Sequence, residues 1–250
     1  MRAAPAAIAL LLCCAAATAQ PGIDYARETR WAQEVEPALV VGDAVYLVAP
    51  GAPRFLALLT TPPGPTKGGV IVIHGLGVHP DWGLNAGLRT RLADAGFTTL
   101  AVQMPVLAAT ASRADYRVTL PEAGDRIAAA IGYLRDRGLA KIAIVSHSMG
   151  ATMVDALLAR PDAPRVDAWA PVGMLVDFAV PPKTPVLDVV AADDLPEVVA
   201  SAATRKVRLP GDACSRGVII GGTDHYFDGA QKDLAAVIAT FLERVFAGRC

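Results

Sequence analysis

The chain has 250 residues, 53% of them hydrophobic and 19% charged, with 23 basic against 24 acidic side chains and a formal net charge of -1. That length fits one large α/β domain or two small ones and buries a substantial core. The balanced charge offers no electrostatic footprint for nucleic acid or an anionic membrane, which leaves a small neutral or mixed molecule as the default partner.

The first residues, MRAAPAAIALLLCCAAATAQPG, combine one basic residue, an apolar stretch from Ala6 to Ala17 and the small-x-small ending Ala17-Thr18-Ala19 before Gln20. This is the pattern of a secretory signal peptide, so residues 1–19 are predicted to be a removed leader and residues 20–250 one domain, exported to the periplasm or the medium. Cys13 and Cys14 follow leucines, but Leu12 and Cys13 stand where a lipidated cysteine requires a small residue, which argues against a lipoprotein. Removing the leader takes both cysteines with it. Cys214 and Cys250 remain, an even pair in an oxidising compartment, and a disulfide between them is expected. After the leader no segment has the unbroken apolar length of a stable membrane span.

Two runs with an alternating look, ALVVGDAVYLVA (38–49) and RFLALLTTP (54–62), predict an antiparallel hairpin. Six nearly continuous apolar runs bounded by Gly or Pro then predict strands buried on both faces, at 68–75, 97–105, 141–148, 166–174, 185–193 and 216–224. Helical patterns lie between and after them: LNAGLRTRLADAG ending at Gly96, PEAGDRIAAAIGYLRDRG ending at Gly138, GATMVDALLAR stopped by Pro161, LPEVVASAATRK, and AQKDLAAVIATFLERVF. Strand and helix in alternation imply a mostly parallel sheet covered on both faces.

Open α/β sheets carry their chemistry at the carboxyl ends of the strands. Ser148 stands there, where KIAIV passes into the helix that begins near Met149. Ser146-x-Ser148-x-Gly150 is the nucleophile-elbow pattern Gly-x-Ser-x-Gly with its first glycine replaced by another small residue. A serine nucleophile needs a base, and the base an orienting carboxylate. His225 follows the last strand, and Asp193 and Asp194 follow the penultimate one, which reproduces the order Ser, Asp, His. Placement alone leaves the two aspartates open. His147 is read as a residue of the pocket wall or of the packing beside the nucleophile, and His74 as a brace of the loop after its strand; both are candidate substrate contacts. Asp81 and Trp82 are candidates for the rim of the site.

On these residues the chain resembles an α/β-hydrolase over roughly Val45 to Phe246. VIVIHGLG resembles the family's His-Gly turn, and by that match the N–H groups of Leu76 and Met149 form the oxyanion hole. The similarity of Ala191-Ala192-Asp193-Asp194 to the family pattern of a small residue, two variable ones and then Asp implies Asp194, with Asp193 as the alternative acid or a cap of the next helix. The stretch HPDW…LRTRLADAGFTTLAVQMP also resembles a poorly characterised group of exported bacterial proteins with this fold. Ser146 departs from the family pattern, as does Ala191 or Ala192 where the family often has glycine before its acid. The resemblance implies a serine hydrolase cleaving carboxylic esters through an acyl-enzyme. A thioesterase or peptidase of the same fold fits the same residues, and a non-catalytic envelope binding or scaffold protein is the rival from another class. No metal or cofactor is expected: the chain has no His-x-x-x-His, Cys-x-x-Cys, phosphate loop or Gly-x-Gly-x-x-Gly at a strand end. The short stretch LVDFAVPPKT between Met174 and Pro185 leaves no room for a helical lid.

Overall fold

The computed structural model describes residues 22–250; the expected leader, with Cys13, Cys14 and the boundary at Gln20, lies outside them. The elements in chain order are α1 (Tyr25–Ala38), β1 (Asp43–Leu47), β2 (Phe55–Thr60), β3 (Gly69–Ile73), α2 (Gly83–Asp94), β4 (Thr98–Val102), a short 3-10 helix (Ala114–Thr119), α3 (Leu120–Asp136), β5 (Ile142–His147), α4 (Met149–Leu158), β6 (Ala168–Val172), β7 (Leu187–Asp193), α5 (Pro196–Lys206), β8 (Arg216–Asp224) and α6 (Gln231–Phe246).

The strands form one eight-stranded sheet in the order β1-β2-β4-β3-β5-β6-β7-β8. β1 and β2 form the expected antiparallel hairpin, β2 joins β4 antiparallel, and from β4 to β8 all neighbours are parallel. Alternating side chains divide the core in two, as a sheet covered on both faces requires. Val70, Val72, Val145 and Val189 face α2 and α6, meeting Leu88, Leu92, Ile238 and Phe241. Ile71, Ile73 and Ile144 face α3 and α4, meeting Ile127, Ile131, Met153 and Leu157.

Two expectations need correction. The first strand is shorter than 38–49: α1 runs to Ala38, Val40 is 94% exposed, and Gly42 takes a left-handed φ of 84° before β1 begins. Leu39, Val40 and Val41 lie in a linker, and the strand is confined to Asp43–Leu47. The second is α1 itself, which the sequence reading did not include. It buries Ala32 and Val35, but also Glu28, whose carboxylate lies 2.9 Å from the fully buried Arg126 of α3. Arg126 also binds Glu122, which accepts a 2.7 Å bond from Tyr25.

Cys214 and Cys250 are bonded, closing a span of 36 residues that contains β8 and α6. No helix among the described residues is long and apolar enough to cross a membrane.

Candidate active site

β5 is the central strand, flanked by β3 and β6, and its carboxyl end turns sharply into α4. Ser148 occupies the turn with φ 55° and ψ -121°, a conformation costly for any residue with a Cβ. Three contacts hold it there. The Ser148 N–H donates to Val172 O at 2.9 Å, at the end of β6. Gly150 lies so close to β3 that a Cβ on it would sit 2.4 Å from His74 O. A Cβ on Gly75 would stand 3.2 Å from both Ser148 Cβ and His147 Nδ1, so the His-Gly turn runs directly against the elbow.

Ser146, the departure from the glycine pattern, has a physical reason. The buried Trp169 of β6 donates its indole N–H to Ser146 Oγ at 2.9 Å. Glycine there would leave that donor without its partner in the core.

His225 sits on the loop between β8 and α6. Its Nε2 lies 2.9 Å from Ser148 Oγ and its Nδ1 2.6 Å from Asp194 Oδ1. Asp194 accepts two further bonds, from the N–H of Ala191 to Oδ2 and of Leu195 to Oδ1. Burial alone would raise its pKa, but the bonds from His225 and from those two amides hold the carboxyl below its ordinary value. The imidazole is therefore orientated by a carboxylate that is itself fixed by backbone. Gly173, φ 59°, completes the packing at the end of β6: a Cβ on it would stand 2.9 Å from His225 Cε1.

The remaining candidates separate. Asp193 is exposed at the end of β7 and makes no hydrogen bond to His225. Nor does it cap α5, whose N-cap is Leu195 with no side-chain bond. His74 is turned inward: Nδ1 bonds Gly75 O at 2.8 Å and Nε2 accepts from Met104 N at 2.9 Å. With both ring nitrogens used inside the protein, it braces its loop and offers nothing to a substrate, and burial lowers its pKa to about 3. His147 is also buried, with Nε2 2.9 Å from His225 O and its ring centroid 4.8 Å from that of His225; burial first, then His225, lowers its pKa to about 4. Its expected role as a substrate contact is not what these bonds describe. Asp81 is committed to the buried Arg89 at 2.6 Å, whereas Trp82 is 58% exposed and packs edge-on to His79. Leu76 is exposed next to Gly75, and Met149 opens α4, so its N–H has no acceptor within the helix.

Four contributors escaped the sequence reading. Gly173 and Trp169 matter only through strand adjacency, although a glycine directly after a strand is a visible mark of close approach. Arg27 of α1 donates to Gly77 O at 3.0 Å and Leu107 O at 2.8 Å, tying α1 to the loop that carries Leu76. The connection from β6 to β7 carries no helix and is held instead by the buried Arg205, which donates to Met174 O and Val176 O and pairs with Asp188 at 3.0 Å.

Sheet order, elbow and strand-end placement together are those of the α/β-hydrolase fold, without a lid. Solved structures agree. A dienelactone hydrolase from Anabaena variabilis is 25% identical, with 79% of this chain and 94% of that chain covered and a TM-score of 0.63. A lidless serine hydrolase from Xanthomonas campestris is 18% identical (82% and 95% covered, TM-score 0.65). An α/β serine hydrolase homologue from Coxiella burnetii is 15% identical (81% and 98% covered, TM-score 0.65). Residues 15–125 match a family profile described as "Protein of unknown function (DUF3530)", a stretch that ends within α3, ahead of the elbow. No curated protein matches the chain.

Proposed function

We propose that this protein is a serine hydrolase that cleaves carboxylic esters. The reading rests above all on one observation: His225 bridges Ser148 Oγ at 2.9 Å and Asp194 Oδ1 at 2.6 Å. Ser148 attacks the ester carbonyl as His225 Nε2 takes its proton. Asp194 keeps the Nδ1–H tautomer and stabilises the imidazolium that forms. The N–H groups of Leu76 and Met149 receive the oxyanion, and loss of one such donor costs about 2.7–4 kcal/mol of transition-state stabilisation. His225 then protonates the leaving alcohol, and water, activated by the same base, releases the acid and restores Ser148.

The connection of 14 residues from 173 to 186 carries no helix, which suits accessible esters and not substrates that require a lid to open. We read residues 20–250 as a single exported domain behind a leader of residues 1–19; the disulfide fits an oxidising compartment. The test is to label the purified mature protein with a fluorophosphonate and map the adduct. A Ser148 adduct, lost in Ser148→Ala and in His225→Ala, is expected, together with turnover of short aryl esters. Failure of the folded wild type to label or to hydrolyse any ester in a panel of short and long acyl chains would overturn the reading.

A further inference from the structure

The base of this site sits on a loop. β8 ends at Asp224, Phe227 adopts a left-handed φ of 56°, and the pairing of β8 with β7 becomes irregular between Ala191 and Asp193. The ladder that fixes β7 and β8 is thus interrupted shortly before His225. Ser148, by contrast, is anchored on the central strand. A tolerance near 1 Å between nucleophile and base separates efficient from poor catalysis, so the loop needs a tether to β5.

His147 supplies one. It is the last residue of β5 and the neighbour of Ser148. Its Nε2 lies 2.9 Å from the carbonyl oxygen of His225; an acceptor there fixes the hydrogen on Nε2, and Nδ1 carries the lone pair. The two imidazoles lie 4.8 Å apart, tilted by 42°, and on the other side the ring meets Gly75. A Cβ on Gly75 would stand 3.2 Å from Nδ1, so a glycine at this position leaves the ring its place. The uncharged state also matters, because a second cation beside the imidazolium of His225 would oppose its formation.

We propose that His147 is a positioning residue for the base, its Nε2–H holding the His225 main chain at a fixed distance from Ser148 and its uncharged ring supporting the His225 ring. The functional part of this inference rests on the Ser148–His225–Asp194 reading above. It gives the residue before the nucleophile a task that neither substrate contact nor a second base provides: Nε2 faces a carbonyl of the protein.

Three variants separate the anchor from mere packing. His147→Gln keeps an N–H donor near the ε position, His147→Asn sets it back by a bond, and His147→Phe keeps a ring without a donor. Two readouts are taken on variants that keep a wild-type circular dichroism spectrum: kcat and KM with p-nitrophenyl acetate, and the downfield NMR signal of the His225 Nδ1 proton bonded to Asp194. Expected is a kcat reduced about 10- to 100-fold in the Phe and Asn variants, with KM within about twofold of wild type and kcat of the Gln variant within about threefold. The downfield signal should stay in wild type and the Gln variant and broaden or vanish in the other two. Wild-type kcat and an unchanged signal in His147→Phe would overturn the proposal, as would a Gln variant no better than Phe. If the wild type proves inactive, the functional reading fails by itself, and the NMR comparison alone still decides whether His147 anchors His225. Should the Phe variant not fold, the Gln–Asn pair carries the same decision.

Discussion

The two arms of the site are fixed by different physics. The Ser148 arm, from β5 into α4, is held by close approach: Gly150 against His74 O, Gly75 against Ser148, and an elbow φ of 55° imposed by its surroundings. The Asp194–His225 arm, from the ends of β7 and β8, is held by hydrogen bonds, three on Asp194 and one on the His225 carbonyl. Volume is what the first arm cannot tolerate; loss of a donor or acceptor is what the second cannot. Substitutions in the first should therefore harm stability and activity together, and those in the second activity first.

The largest effect belongs to the second arm. Asp194→Asn should lower kcat by on the order of 10^4-fold with little change in Tm, while Asp193→Asn stays near wild type. Kinetics on both variants decide it, and a larger loss in Asp193→Asn would reassign the acid. Arg205→Met probes the buried ion pair behind the second arm and not the arm itself: it strands Asp188 on β7 and frees the Met174 and Val176 carbonyls. A destabilisation of about 3–5 kcal/mol in urea unfolding is expected. Gly150→Ala tests the first arm, since its Cβ would lie 2.4 Å from a backbone oxygen. About 1–3 kcal/mol of stability and most of the activity should go together, and an active, stable variant would break the comparison. Ser146→Ala keeps the volume and removes only the acceptor of the Trp169 indole N–H, for which about 1–3 kcal/mol is expected from chemical denaturation.

The smallest effect is a dependence on pH. Asp155, in α4, accepts from Ala179 N at 2.9 Å, and burial raises its pKa from 3.8 to about 6 against the opposing pull of Arg208 and Arg205. The folded state thus prefers the protonated acid. The stabilisation is complete below the unfolded pKa of 3.8 and is lost as pH rises through about 6. Asp155→Asn keeps an acceptor and cannot ionise, so its Tm should gain on that of the wild type between about pH 4 and pH 7. A constant Tm difference across that range would show that Asp155 does not titrate there.

Much of this was legible in the sequence because a parallel sheet writes itself as apolar runs. β3 to β8 all fall within the predicted strands: β8 matches its prediction at both ends, and the others are trimmed by one to three residues at one end or both. α1 was hidden because its buried face includes Glu28, and a charged residue reads as solvent-facing until Arg126 is known to lie opposite. Val40 and Val41 misled in the reverse sense: apolar letters, yet exposed in a linker. At the site, strand-end placement was enough to single out Ser148, His225 and a pair of aspartates. It did not separate Asp193 from Asp194, since adjacent residues at a strand end point to opposite sides. Gly173 and the Trp169–Ser146 bond depend on β6 lying beside β5, which no local pattern states.

The disulfide places His225 inside a covalent ring. Cys214 precedes β8 and Cys250 closes the loop behind α6, so His225 lies between the two half-cystines. A cut in the loop at Tyr226, which is 61% exposed, would open this ring without releasing either piece. The strand and the C-terminal helix would remain joined through sulfur, near enough to re-pack on the same sheet. A nick near His225 would leave the chain in one covalent piece, whereas under reducing conditions the same nick would shed α6 and its half of the hydrophobic face.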